Sequence, residues 1–315
     1  MLGIMGWWGG KNEGDRYILE CLTRYLSEDF KVVPLTMPVP SERETLKLIN
    51  GLDFLLVGGG GLFTNTPPRM FDTFPEWKSQ LKTHFGFVGI GIETVAEAYR
   101  RTVADIVSSS SFFVTRDRES FELVNGLGNA EMAPDITFLY PRVAESSECI
   151  DRVGVNLRVW NFDKGRTYDA EAWIEEINRL PVNKIKVPLS FLKGLEDNQA
   201  MDRVVGIRRR RFTLDDYACV GSFIGMRLHS LIFAVQNGVP AIGIAYAPKV
   251  RRFFNAVGLG DYCLSTTGYG MLNERYHSLM ADGAVSVVMR EYTSTSHSRI
   301  HEAMKMVKIK ILESV

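Results

Sequence analysis

The chain lacks the common short signatures of metal, nucleotide and nicotinamide chemistry. Its four cysteines, at 21, 149, 219 and 263, form no CxxC pair, and its five histidines make no ligand cluster. Reduced thiols in an intracellular protein are therefore expected, with neither a metal nor a cofactor. Gly10-Lys11 lacks the upstream glycine and the following Ser/Thr of a Walker A loop. No GxGxxG occurs, because Gly58-x-Gly60 runs into Phe63 and Gly89-x-Gly91 into Thr94. His301-Glu302 lacks the second histidine of a zinc helix. Long apolar runs are missing too: the greasiest stretch, Ser230–Tyr246, is broken by Gln236, Asn237, Gly238 and Pro240, too soon to span a bilayer. The opening residues carry neither a basic region nor a long apolar run, so no signal peptide and a cytoplasmic location are expected. Charge of one sign is not in excess, with 37 Lys+Arg against 37 Asp+Glu. That balance argues against a nucleic-acid partner.

What remains is an ordinary globular composition, 45% hydrophobic and 23% charged over 315 residues, enough for two domains. Leu2–Gly6, Lys31–Leu35, Phe54–Val57, Phe85–Ile92 and Phe112–Thr115 read as buried strands, and Met132–Asp135 closes the series. Helices alternate with them: one carrying Ile18, Leu19, Leu22, Tyr25 and Leu26, then Glu42–Asn50, Val95–Val107 and Asp117–Val124. Residues 141–150 are polar and aperiodic, a candidate linker. The alternation then restarts, with strands at Arg152–Asn156, Lys184–Pro188, Ser222–Ile224 and Ala241–Ile244. Helices are expected at Ala170–Leu180, Leu195–Val204, Leu214–Val220 and Ser230–Asn237. A last helix, Ser296–Leu312, presents Ile300, Met304, Val307 and Ile311 on one stripe. Alternation of this kind indicates parallel sheets covered by helices. The expected fold is α/β, two Rossmann-like domains at 1–142 and 151–295 with a closing helix at 296–315, GT-B-like, with its site in a cleft between the domains. Ligands of such sheets lie beyond the carboxyl ends of the strands.

The densest signal is residues 224–250, IGMRLHSLIFAVQNGVPAIGIAYAPKV. Arg227 and His229 fall where a strand turns into a helix, whose first N–H groups favour anions. Arg227 adds a planar fork of donors suited to carboxylate or phosphate, and His229 a group able to move a proton near neutrality. An arginine capping a loop carbonyl beside a packed histidine is the plain structural alternative. Both residues are expected at a loop edge, where alanine would leave the fold intact.

This stretch resembles the hallmark of the polysaccharide pyruvyl transferase family, with its R-L-H, helix, G-V-P strand and trailing lysine. Further blocks resemble the family's in order: Asn12-Glu13-Gly14-Asp15, Val57–Leu62, Gly89–Ile92, Thr115-Arg116-Asp117 with Ser120, Ala133-Pro134-Asp135 and Val153–Arg158. The likeness covers about residues 1–260, departing at Trp7-Trp8 and over 164–211. It implies transfer of a pyruvyl group from phosphoenolpyruvate to a hexose of a surface polysaccharide precursor, free or lipid-linked, as a cyclic ketal with release of phosphate. Arg227 and His229 become the catalytic candidates, and Arg158 and Lys249 further cations for phosphoenolpyruvate in the second domain. Asp15, Gly59, Gly60, Arg116 and Asp135 are the substrate-binding candidates of the first domain, taken as the acceptor side. Asp15 also reads as a helix cap and Gly58–Gly61 as a tight turn. Trp7, Trp8 and Trp160 are candidates for stacking on a sugar or for packing. Arg208–Arg211 reads as a solvated edge, or else as a peripheral contact with a membrane or carrier phosphate. His84, His277, His297 and His301 read as structural. Two rival readings stand: a nucleotide-sugar glycosyltransferase of the same architecture, for which no acidic residue stands beside Arg227 in the sequence, and a silent homologue acting as a binding subunit.

Overall fold

In a computed structural model the described residues are 1–9, 11–37, 42–64, 74–93, 97–141, 151–158, 168–194, 196–208 and 213–315. Contacts divide the chain into two units. The first comprises Met1–Gly10, Asp15–Tyr140 and Ser296–Val315, the second Lys11–Gly14 and Pro141–Thr295.

The first unit is built on β1 (Leu2–Gly6), β2 (Val32–Thr36), β3 (Phe54–Phe63), β4 (His84–Ile92), β5 (Phe113–Thr115) and β6 (Ala130–Met132). All pairs are parallel, in the order β2-β1-β3-β4-β5-β6. Pro34 sits in β2, an edge strand, where its missing N–H costs least. The connecting helices are α1 (Glu13–Leu26), α2 (Glu42–Ile49), α3 (Phe74–Trp77), α4 (Glu97–Ser109) and α5 (Arg118–Glu122). Aromatic packing fills this core, Phe87 and Phe113 lying 5.0 Å apart and Phe63 beside both. Burying each such side chain stabilises by roughly 1.5–3 kcal/mol.

The four glycines at 58–61 do not end β3, as the sequence suggests. They lie inside it, and pairing with β4 shifts register between Gly60 and Phe63. The reason is steric. A Cβ on Gly58 would stand 2.6 Å from Leu22, and one on Gly59 would overlap Ile18. Both partners belong to α1, which glycine lets approach the strand closely. Gly59 and Gly60 also have φ of +62° and +98°, a region open mainly to glycine.

The second unit is built on β7 (Arg152–Asn156), β8 (Asn183–Lys186), β9 (Ile207–Arg208), β10 (Ser222–Gly225), β11 (Ala241–Ala245) and β12 (Cys263–Ser265). They run parallel in the order β12-β11-β10-β7-β8-β9. Its helices are α6 (Ala170–Arg179), α7 (Asp197–Ala200), α8 (Leu228–Gln236), α9 (Pro248–Val257), α10 (Leu272–Ala281) and α11 (Ala284–Ser314). Every residue of α8 is buried. The helix expected over 195–204 shrinks to the single turn α7, although Asp197, Met201 and Val204 are buried at helical spacing. Residues 214–219 form a 3-10 turn rather than an α-helix. The final helix begins twelve residues earlier than the sequence suggests. Its β-branched and Ser/Thr stretch has weak helix propensity, but Val285, Met289, Thr293 and Ser296 are buried and hold it. The predicted stripe of Ile300, Met304, Val307 and Ile311 is fully buried. Among the described residues no helix is long and apolar enough to cross a membrane.

The two costs at Gly59 can be separated by experiment. Gly128 also has positive φ, +88°, with nothing among the described residues within 4 Å of an added Cβ. Gly128→Ala is expected to cost about 1 kcal/mol through backbone strain alone. Gly59→Ala adds the overlap with Ile18 and should cost about 2–4 kcal/mol in denaturant unfolding. Equal losses would show that α1 yields freely.

Candidate functional site

In the second sheet the strand order reverses between β7 and β10, the kind of position where α/β sheets place ligands. β7 and β10 end level, Gly225 lying beside Asn156 on one side and Gly243 on the other, and β11 runs two residues further to Ala245. Arg158 follows β7. Arg227 is the N-cap residue of α8, and His229 stands in its first turn. Lys249 lies in the first turn of α9, behind Pro248, rather than at the strand end. The sequence-predicted cations thus lie in the segments that follow three adjacent strands.

Arg227 is more than a loop-edge charge. Its Nε donates to both carboxylate oxygens of Asp197, at 2.7 and 2.8 Å, and its Nη2 lies 2.6 Å from Oδ1. Asp197 is wholly buried and also accepts from the N–H groups of Leu189 (2.9 Å) and Ser190 (3.0 Å) and from Nδ2 of Asn156 (3.0 Å). Asn156 donates in addition to the carbonyl of Val187 (2.9 Å), and its Oδ1 accepts from the Arg227 N–H (3.1 Å). Removing Arg227 would therefore strand a buried carboxylate, which corrects the expectation that alanine there leaves the fold untouched. Asp197 is also the acidic neighbour of Arg227 that the sequence hid, thirty residues away.

His229 is buried, its ring 6.1 Å from Phe233 at an interplanar angle of 25°. Gly14 packs against the imidazole so closely that a Cβ there would overlap it. Residues 11–14 hold that position by pairing within the second unit. Asn12 bridges Ser190 in antiparallel fashion, the Glu13 N–H donates to the Leu189 carbonyl (2.8 Å), and the Phe191 N–H donates to the Lys11 carbonyl (3.0 Å). Asn12 Oδ1 accepts from the Gly14 N–H at 3.0 Å. Tyr246, fixed just after β11, has the Arg158 guanidinium 4.7 Å and the Lys249 ammonium 5.7 Å from its ring centroid.

The first sheet reverses order between β1 and β3. There Asp15 Oδ1 stands 3.9 Å from where a Gly60 Cβ would be, so that face of Gly60 is open beside a carboxylate. At Gly59 the corresponding space is taken by Ile18. Arg116, after β5, lies flat on Gly91, its Nε 2.8 Å from an added Cβ. Its side chain is buried and faces Asp135 at 3.5 Å. Asp135 in turn caps the 3-10 turn Ile136–Leu139 through the N–H (3.1 Å) and Oγ1 (2.9 Å) of Thr137. The rest of the R-D-x-x-S block is scaffolding. Asp117 accepts from Ser120 N–H at 2.8 Å, and Ser120 Oγ accepts from Ile92 N–H at 2.8 Å, tying α5 to the end of β4.

Trp8 donates to the Ile4 carbonyl and covers Gly6, while Trp7 is exposed. Trp160 and residues 209–211 lie outside the described residues. Arg208 stands 4.0 Å from Asp202. His297 and His301 contact the carbonyls of Phe138 (2.9 Å) and Leu139 (3.2 Å), a structural use as expected. Sequence reasoning missed Asp197, Asn156 and Tyr246. Asn156 and Tyr246 lie within quoted motifs, whereas Asp197 sits in the stretch where the motifs fade.

The sequence profile described as polysaccharide pyruvyl transferase matches residues 12–248. The chain belongs to the polysaccharide pyruvyl transferase family. That membership makes it a transferase. No curated protein matches it in sequence. Among solved structures, S. aureus MnaA bound to UDP is similar at 11% identity and TM-score 0.63, over 98% of this chain and 97% of that one. A Listeria monocytogenes protein described as a UDP-N-acetylglucosamine 2-epimerase gives 11% and 0.62, over 96% and 95%. The spinosyn rhamnosyltransferase SpnG gives 10% and 0.59, over 94% and 96%. At such identities the likeness concerns the fold, and it agrees with two parallel-sheet α/β domains of GT-B-like type.

Substitutions at Arg227, Asp197 and Gly14 test this geometry. Arg227→Ala should lower unfolding free energy by about 3–5 kcal/mol, as breaking a buried pair does, and Arg227→Ala/Asp197→Ala should recover part of the loss. A cost below about 1 kcal/mol would mean that Asp197 is not held as described. Gly14→Ala should displace the His229 ring and lower turnover by about a hundredfold, the scale of a misplacement of about 1 Å in an active site. Unchanged turnover would detach Gly14 from the site.

Proposed function

We propose that the protein transfers the pyruvyl group of phosphoenolpyruvate to two hydroxyls of a hexose in a polysaccharide precursor, giving a cyclic ketal and phosphate. The observation that carries this reading is the placement of Arg158, Arg227, His229 and Lys249 in the segments that follow β7, β10 and β11. Phosphoenolpyruvate presents a carboxylate and a phosphate, nearly three negative charges, and a protein of zero net charge must gather cations to hold it. Arg227, with Nε and Nη2 turned to Asp197, is fixed in orientation, as electrostatic stabilisation of a leaving phosphate requires.

His229 is the acid–base group. It places a proton on the methylene carbon, so that C2 takes the first hydroxyl oxygen and the C2–O–phosphate bond then breaks. The second hydroxyl attacks C2 and closes the ketal. One hydroxyl hydrogen is thereby balanced by the new methyl C–H, and the other leaves with phosphate. Asp15, the open backbone at Gly60, and Arg116 with Asp135 form the acceptor side. The hydroxyls bridged are those of a hexose, on a free or lipid-linked glycan, in the cytoplasm.

The nucleotide-sugar alternative needs a carboxylate for ribose hydroxyls. Asp197 does not supply it, being buried and saturated by Arg227, Asn156 and two backbone N–H groups. Millimolar phosphoenolpyruvate should therefore raise the melting midpoint, by up to several degrees at a hundred times its dissociation constant. UDP, GDP and CMP should not. Phosphate release should require both phosphoenolpyruvate and an acceptor glycan, and His229→Ala should lower it by about a hundredfold or more. Stabilisation by a nucleotide and none by phosphoenolpyruvate would replace this reading with the glycosyltransferase one.

A further inference from the structure

Arg158 and Lys249 share a side chain that the chemistry above leaves unused. The Tyr246 ring is buried at the end of β11, one residue before the N-cap of α9. The Arg158 guanidinium approaches its centroid to 4.7 Å and the Lys249 ammonium to 5.7 Å. The two cations come from opposite sides of the sheet's switch point. Arg158 follows β7 and Lys249 follows β11, with β10 between them. Their shared ring keeps them within about 10 Å of each other, a Debye length at 0.1 M salt, so each feels the other's charge. A ring attracts each cation to its electron-rich face but does not cancel their repulsion. A compact anion with two charged ends does. Long Arg and Lys side chains also lose rotamer freedom when they engage a ligand, and a ring that holds them beforehand removes part of that loss.

We propose that Tyr246 is a positioning residue of the donor site. Its ring pre-sets Arg158 and Lys249 to receive the two charged ends of one small molecule, and so fixes affinity for phosphoenolpyruvate rather than the rate of the chemical step. The inference rests on the pyruvyl transfer reading and adds to it a residue, a physical interaction and a kinetic signature. The phenol hydroxyl is not needed, and the ring's negative face is.

The test grades that face while keeping the ring's shape. Phenylalanine, and phenylalanine bearing one and then three ring fluorines, are installed at position 246. Phosphate release is followed against phosphoenolpyruvate concentration at saturating acceptor. Tyr246→Phe should keep KM for phosphoenolpyruvate within about threefold of wild type. Successive fluorination should raise it stepwise, to about tenfold, with kcat within about threefold throughout. Tyr246→Met should raise KM at least as far. If the methionine variant does not fold, the fluorinated series still decides, because it leaves packing unchanged. A KM flat across the fluorinated series overturns the role of Tyr246, and so does a fall in kcat at constant KM. Wild-type protein that neither binds nor turns over phosphoenolpyruvate overturns the pyruvyl transfer reading itself, and is told apart by needing no variant.

Discussion

One buried carboxylate organises the second unit. Asp197 takes two backbone N–H groups from the loop after β8, the side-chain amide at the end of β7 and the guanidinium at the start of α8. A carboxylate withdrawn from water is costly unless each lone pair is used, and here its acceptor capacity is filled. Such a network adds little net stability over an apolar core, but it permits few arrangements. Three loops that must present charge in one place are thereby locked to one another. Ser190, whose N–H donates to Asp197, is also the residue that Asn12 bridges, so the network's edge fixes Gly14 against His229.

Steric constraint plays the corresponding part in the first unit. Gly58 and Gly59 are the surfaces on which Leu22 and Ile18 of α1 rest, and Gly91 is the surface on which Arg116 lies. Without those glycines α1 would stand off the sheet, and Asp15 with it. Several residues that look like ligand contacts because they recur in short motifs are fasteners of this kind. Asp117 and Ser120 cap and tie α5 to the end of β4. A motif therefore marks a place in the fold more reliably than it marks a ligand-binding atom.

That distinction explains what could be read from the sequence. Strand and helix order was legible because short apolar runs ending in glycine have few other uses in a globular chain. Arg158, Arg227, His229 and Lys249 were legible as one group because each follows a strand, and parallel topology sends all such positions to one edge of the sheet. The glycines of β3 misled, since glycine reads as a turn unless the helix packed on it is known. Asp197 could not be found: its partners come from positions 156, 189, 190 and 227, and no local pattern records a contact made at that separation. The early start of the last helix was hidden for a related reason, since burial of Val285 and Met289 overrides a weak local preference.

The two sheets have different strand orders, and in each the reversal falls where candidate residues gather, between β1 and β3 in one and between β7 and β10 in the other. Topology thus supplies the place and leaves the chemistry open. Structures sharing the fold at about one residue in nine, one of them bound to UDP, make the same point from outside. The fold tolerates almost complete replacement of its sequence, so the fold by itself names no donor. In this chain the cations after the strands of the second unit are held by a buried carboxylate and an aromatic ring. That arrangement uses its polar groups to fix positive charge, and Asp197, buried beside Arg227, is engaged in doing so. On the pyruvyl-transfer reading proposed above, cations fixed in this way suit a small donor with two charged ends.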